Sequence, residues 1–271
     1  MRADPYEGSE GLGVELAEGI LQLRLSRPAV RNAIDDEMMV GLIDALDAAG
    51  RDERVRAILL SGEGEHFCGG ADIVARNKES AVRPQVGSIQ RRVPSLAHRL
   101  IPLLCSVQVP VVCAVQGWAA GIGLHLAAAA DMTVAASGAT FWEPFASRGF
   151  TPDSGATWLL PRRIGLARAR ELLLFGRRLS APEALDWQLV DRVVPDADLA
   201  AEAQALVEEI ASGPTVSLGL TKWLLHAGAS VSLDEQLRNE AFALELSSRS
   251  EDFREGLAAF RDRRPPAFKG R

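Results

Sequence analysis

From Gly19 to Leu25 the chain alternates apolar and polar residues (Gly-Ile-Leu-Gln-Leu-Arg-Leu), the period-two pattern of a half-buried strand. After the turn Ser26-Arg27-Pro28 the period changes. Met38, Met39, Leu42, Ile43 and Leu46 recur at helical spacing, which predicts a helix from Asp35 to Ala49 with Asp35 or Asp36 as its cap. Val55 to Leu60 is a short apolar run that reads as a second strand, broken by Ser61-Gly62-Glu63-Gly64. Residues 80–92 are polar and irregular, and predict a loop or frayed helix start that leads into a helix ending near Leu104. Val109–Val115 reads as a strand, Gly121–Ala130 as a helix and Asp131–Ala136 as a further strand.

This rhythm of strand and helix predicts a mixed α/β fold. From Gly165 onward the pattern is mostly helical: Ala167–Phe175, Ala181–Trp187, Leu199–Ser212, Pro214–Ala227 and Leu233–Ser247. The change in composition near Ala197 to Leu199 divides the chain into a core, residues 1–197, and a helical C-terminal region, residues 198–271, with no tandem repeat or low-complexity segment. Phe242, Leu244, Leu246, Leu257 and Phe260 give the last helices an apolar face.

Charge and cysteine content narrow the function classes. A formal net charge of -6 argues against general binding to nucleic-acid phosphates, while leaving room for a local basic patch on one small anion. Cys68, Cys105 and Cys113 form no CxxC pair and no metal-ligand pattern, so free thiols in a reducing, cytoplasmic setting are expected. The first residues lack a basic region leading into an apolar stretch, so no signal peptide is expected. The apolar stretch Val109–Ala130 contains Pro110, Gln116, glycines and His125; a buried strand followed by a buried helix accounts for it better than a membrane span.

Two glycine-containing loops are candidates for chemistry. One is His66-Phe67-Cys68-Gly69-Gly70-Ala71-Asp72-Ile73 and the other Gln116-Gly117-Trp118-Ala119-Ala120-Gly121-Ile122-Gly123-Leu124. Glycine lets backbone approach a ligand closely, and a helix N-terminus offers N–H groups and a positive dipole end. Two such N–H groups converging on one point would form an oxyanion hole. Sequence alone leaves their convergence open. Neither loop reads GxGxxG, so a dinucleotide-binding fold is excluded.

The order of motifs resembles the crotonase (enoyl-CoA hydratase/isomerase) family over nearly the whole chain. The motifs are LSRPAVRNAI, FCGGADI, VPVVCAVQGWAAGIGLHLAAAAD, LDWQLVDRVVP and SEDFREGLAAFRDRRPPAFKG. The resemblance implies a spiral of repeated strand–strand–helix turns with a helical C-terminal region. It also implies a homotrimer or hexamer, and an acyl-CoA substrate with no separate cofactor. Carried over by position, the oxyanion donors would be the N–H groups of Gly69 and Ile122. Ala71, Asp72 and Ile73 would lie along the coenzyme A. Arg27, Val30 and Arg31 would approach its nucleotide end, where arginine suits phosphate; Arg27 and Arg31 read equally as solvated surface charges.

The pattern also breaks. Family hydratases use two glutamates as acid and base around one water. Here the first position is His125, one turn past Ile122, and the second is Phe145, which has no proton to exchange and reads as pocket wall. His125 can act as acid or base near neutral pH, or be a core histidine. Glu143 shares a face with Phe145 if the segment is extended, unless Pro144 turns it to solvent. Asp153 matches a functional aspartate of dienoyl-CoA isomerases and 4-chlorobenzoyl-CoA dehalogenases, and reads also as the N-cap of a helix starting near Ser154. Trp118 adds aromatic bulk near the site, with core packing as the other reading. Gln188 stands where a helix-ending glycine is usual. The expected activity is proton transfer on an acyl- or enoyl-CoA through a thioester enolate, a double-bond shift fitting better than water addition. The rival is an acyl-CoA-binding protein of the same fold without catalysis.

Overall fold

The computed structural model describes residues 6–72 and 85–271. Its first half is built from β1 (Leu12–Ala17), β2 (Ile20–Leu25), α1 (Asp36–Ala49), β3 (Ala57–Gly62), α2 (Ser88–Arg92), α3 (Ala97–Ser106) and β4 (Val111–Val115). β5 (Trp118–Ala120), α4 (Ile122–Ala129), β6 (Met132–Ala136), β7 (Thr140–Trp142), α5 (Ala156–Phe175), β8 (Arg178–Ser180), α6 (Ala181–Asp186) and β9 (Arg192–Val194) follow. The chain closes with α7 (Leu199–Ala211), α8 (Thr215–Gly228), α9 (Leu233–Ser247) and α10 (Glu251–Asp262). Part of the polar stretch 80–92 lies outside the described residues; its end forms α2.

The strands make two sheets. The larger runs β1-β2-β3-β4-β6-β9 and the smaller β5-β7-β8. From β4 onward the chain gives one strand to the large sheet, one to the small sheet, then a helix, and repeats this with β6, β7 and α5. That is the expected spiral. The central strands are parallel and covered on both faces, which is why they read as apolar runs. Leu21, Leu23, Ile58, Leu60 and Val111 pack with Met38, Leu42, Leu100 and Leu124 on one side. Ile20, Leu59, Val112 and Val134 pack with Leu199, Leu206 and Val207 on the other. So α7, the first helix of the 198–271 region, covers the sheet of the core. The stretch 109–130 is β4, β5 and α4, and among the described residues no helix is long and apolar enough to cross a membrane.

Local chemistry explains the boundaries. Asp35 caps α1 by accepting from the Met38 N–H. Gln188 has φ 63, the left-handed conformation that a glycine would adopt freely. Two helical stretches expected near Ser154 and at Ala167–Phe175 are one element, α5, broken at Gly165, whose φ is 79 and ψ 157. α8 is tied to the core by Lys222, buried with its Nζ 2.7 Å from Asp131 and donating to the Leu104 and Val109 carbonyls.

Candidate active site

The two glycine loops converge. Phe67 N–H donates to the Gln116 carbonyl, Cys68 N–H to the Trp118 carbonyl and Ala120 N–H to the Cys68 carbonyl. Gly70, at φ +110, lies so near that a Cβ built on it would be 3.3 Å from the Ala120 oxygen; a side chain there would strain the junction. On its other edge the first loop is held by the 31–34 segment. Gly69 N–H donates to the Arg31 carbonyl at 2.7 Å, Ile34 N–H to the Gly70 carbonyl and Asp72 N–H to the Ile34 carbonyl.

These bonds correct the expected donor. The Gly69 N–H already has an acceptor and cannot also serve a thioester oxygen. In extended chain, successive N–H groups point to opposite sides, so with Asp72 turned to Ile34 the Ala71 N–H faces the second loop. Ile122 is the first residue of α4, where N–H groups lack intrahelical acceptors. It follows Gly121, held at φ 52 and ψ -121, whose own N–H donates to the Trp142 carbonyl. Among the described residues, neither the Ala71 nor the Ile122 N–H has a hydrogen-bond partner.

The residues expected along coenzyme A divide into two groups. Arg27 is committed internally: its guanidinium donates to the Ala33 carbonyl at 2.7 Å and pairs with Asp35 and Asp72, each at 3.0 Å. Asp35 and Asp72 are thus structural partners of Arg27. Val30 is exposed, as is Arg31 at φ 56 beside Gly69. Ala71 is half-buried, and Ile73 lies outside the described residues. A bracket missed in the sequence is Asn32, fully buried at φ 54. Its Oδ1 accepts from Arg27 N–H, and its Nδ2 donates to the Glu63 and His66 carbonyls at 2.9 and 2.6 Å. That one side chain joins the 27–32 turn to the first loop. Its place inside the RNAI motif was the signal available.

His125 and Glu143 meet. Both side chains are fully buried, and His125 Nε2 lies 2.9 Å from Glu143 Oε1. The solvent-facing reading of Glu143 is therefore excluded. Phe145 stacks parallel on the imidazole with centroids 5.9 Å apart, and Phe150 meets Phe145 edge-on at 5.3 Å. Burial pushes the Glu143 carboxyl above its ordinary range; His125 pulls it back, and the charge of Asp153 raises it further. His125 Nδ1 and Glu143 Oε2 have no partner among the described residues.

Asp153 is exposed and accepts the Ser154 hydroxyl at 2.7 Å. It is not the expected N-cap: α5 begins at Ala156, Gly155 occupies the cap position at φ 83, and no side chain caps it. Trp118 meets Trp142 edge-on at 5.9 Å, and the Arg178 guanidinium lies over both rings, so it packs within the small sheet.

Comparison with known proteins agrees with this architecture. A family described as enoyl-CoA hydratase/isomerase matches residues 15–271. A 1,2-epoxyphenylacetyl-CoA isomerase of Escherichia coli K12 is 41% identical, over 94% of this chain and 96% of its own. A 4-chlorobenzoyl coenzyme A dehalogenase of Arthrobacter is 32% identical, over 93% of this chain and 91% of its own. The crystal structure of an enoyl-CoA hydratase from Bacillus anthracis superposes with a TM-score of 0.89 at 31% identity, covering 96% of this chain and all of that one.

Proposed function

The chain belongs to the enoyl-CoA hydratase/isomerase family, and from that premise we propose that it is an acyl-CoA isomerase working through a thioester enolate. The observation that carries this reading is the meeting of the two glycine loops, with the Ala71 and Ile122 N–H groups unclaimed among the described residues. Donors held in place before the reaction stabilise the charge that develops on the thioester oxygen. The Asp153 carboxylate removes a proton from the carbon next to the carbonyl. The electron pair of that C–H bond enters the thioester and is held there as the enolate.

Isomerisation is favoured over hydration by the side chains present. Activating one water between two carboxylates needs glutamates at both positions, and here they are His125 and Phe145. The Escherichia coli relative is itself named as an isomerase of a CoA ester. Val30 and the exposed Arg31 supply an apolar contact and a cation at the rim, where the nucleotide end of coenzyme A would lie. Calorimetry with acetyl-, crotonyl- and longer acyl-CoA, followed by deuterium exchange of the α-protons in heavy water, tests the reading. Binding with exchange is expected. Binding without exchange would identify a silent acyl-CoA-binding protein, and no heat with any thioester would overturn the whole proposal.

A further inference from the structure

His125 and Glu143 carry a pattern that the oxyanion loops do not explain. Both are fully buried, joined at 2.9 Å, and each keeps one polar atom with no partner among the described residues. A buried charge is costly unless it is paired, so the pair holds the number of protons that leaves it without net charge. Two arrangements with the carboxyl hydrogen between the partners do so: carboxylic acid with neutral imidazole, and carboxylate with imidazolium. In the first, Nε2 accepts the carboxyl hydrogen and the ring hydrogen sits on Nδ1. In the second, both ring nitrogens carry hydrogen. Either way Nδ1 is an N–H donor with no acceptor among the described residues. Nδ1 would be bare in a negatively charged pair, which the Asp153 charge acting on Glu143 disfavours, or with the carboxyl hydrogen on Oε2, where that hydrogen has no acceptor among the described residues.

We propose that His125, primed by Glu143, is the acid that returns a proton to the acyl group after Asp153 has removed one. The inference rests on the acyl-CoA reading above. His125 lies one turn beyond Ile122 on the same face of α4. A turn rises about 5.4 Å, so its ring serves carbons past the thioester rather than the thioester oxygen. Phe145, stacked on the imidazole, shields one face of the ring.

For a β,γ-unsaturated thioester the step balances. Asp153 takes the α-proton and becomes a carboxylic acid. The C–H electron pair passes into a dienolate held by the Ala71 and Ile122 N–H groups. The dienolate re-forms the carbonyl, the double bond shifts to α,β, and its γ-carbon takes the hydrogen from Nδ1, which keeps the N–H electron pair. The His125–Glu143 pair is left with one negative charge and recovers its proton from Asp153 through solvent. His125 is the catalytic residue here. Glu143 acts through it as a positioning residue.

The test uses but-3-enoyl-CoA in heavy water with the full chain and with Glu143→Gln, beside nitrogen-15 spectra of histidine-labelled protein. In the unmodified protein Nδ1 should carry hydrogen. A glutamine oxygen at that place accepts from Nε2–H, so in Glu143→Gln the hydrogen should leave Nδ1. Conversion to crotonyl-CoA should then fall by at least about tenfold, while thioester binding and α-proton exchange persist. His125→Gln should give the same split. A bare Nδ1 in the unmodified protein overturns the inference, whether or not the variants fold. Undiminished conversion in a folded Glu143→Gln protein also overturns it, as does α-exchange without conversion in the unmodified protein. Absence of thioester binding would instead overturn the reading on which the inference rests.

Discussion

The N–H of Gly69 donates to the carbonyl oxygen of Arg31 at 2.7 Å, which leaves the Ala71 N–H as the first loop's donor in the proposed site. Replacing the Ala71 amide by an ester removes its N–H while keeping the chain's shape. The loss of one oxyanion donor is worth about 10²–10³ in rate, so kcat/KM for isomerisation should fall by about that factor. The infrared shift of the bound thioester carbonyl should shrink with it. The same exchange at Gly69 should cost about 0.5–1.5 kcal/mol of stability and leave the carbonyl shift intact. The reverse pattern would return the donor to Gly69.

Asp153→Asn separates base from scaffold. Asp153 is exposed and caps no helix, and an asparagine oxygen still accepts the Ser154 hydroxyl, so stability should stay within about 0.5 kcal/mol. Exchange of α-protons on an enoyl-CoA should fall by at least about tenfold with calorimetric binding retained. Asp153→Ala should lower exchange alike, while also losing the hydrogen bond from the buried Ser154 hydroxyl. Unchanged exchange in both would remove Asp153 from the mechanism.

Crotonyl-CoA hydration should be slow. Phe145 cannot transfer a proton, so of the two positions that flank the water in a two-glutamate hydratase only His125 carries a transferable one. The deficit against a two-glutamate hydratase should be about 10²–10⁴-fold per missing acid or base, read as loss of the enoyl absorbance. Hydration at a two-glutamate rate would show that the catalytic positions lie elsewhere.

How much of this was legible depends on length scale. β2 and α1 announce themselves through a period repeated over several residues, β4 as an unbroken apolar run, and α7 through the apolar face that reaches the sheet. β5, β7, β8 and β9 have three residues each, too few to display alternation. They exist because neighbouring strands fix them. In the site, motif order located both loops and His125. It could not tell Gly69 from Ala71, because which N–H is spent depends on pairing with Arg31 and Ile34, remote in sequence. Nor could it join His125 to Glu143, or foresee that Arg27 is held by Asp35 and Asp72.

The C-terminal helices predict assembly. Leu225, Phe242, Leu244, Leu257 and Phe260 are 74, 61, 65, 57 and 86% exposed, more large apolar residues than scattered surface positions call for. Sedimentation at micromolar concentration should give a trimer or hexamer. Phe260→Glu with Leu244→Glu should shift it toward the monomer while the far-ultraviolet signal of the core stays. A monomeric unmodified chain would remove this expectation.

The buried carboxyl gives stability a pH dependence of defined sign. Glu143 has its folded pKa raised above the ordinary 4.5, by burial first, against the pull of His125, with the Asp153 charge adding to the rise. Below about pH 4.5 the group is protonated in both folded and unfolded chains, and its contribution is fully present. As pH climbs past that value the unfolded chain releases a proton that the folded chain retains, so unfolding is favoured increasingly until the folded pKa is passed. Glu143→Gln does not titrate. The stability of the unmodified protein minus that of Glu143→Gln, from urea unfolding at a series of pH values, should be flat in acid and fall as pH rises from about 4.5. The charged or titratable neighbours acting on Glu143 are His125 and Asp153. Asp153→Asn, by removing one raising influence, should bring the end of that fall to lower pH. A difference that grows in favour of the unmodified protein with rising pH would mean that pairing with a charged His125 outweighs burial, and Glu143 would then be a carboxylate throughout the working range.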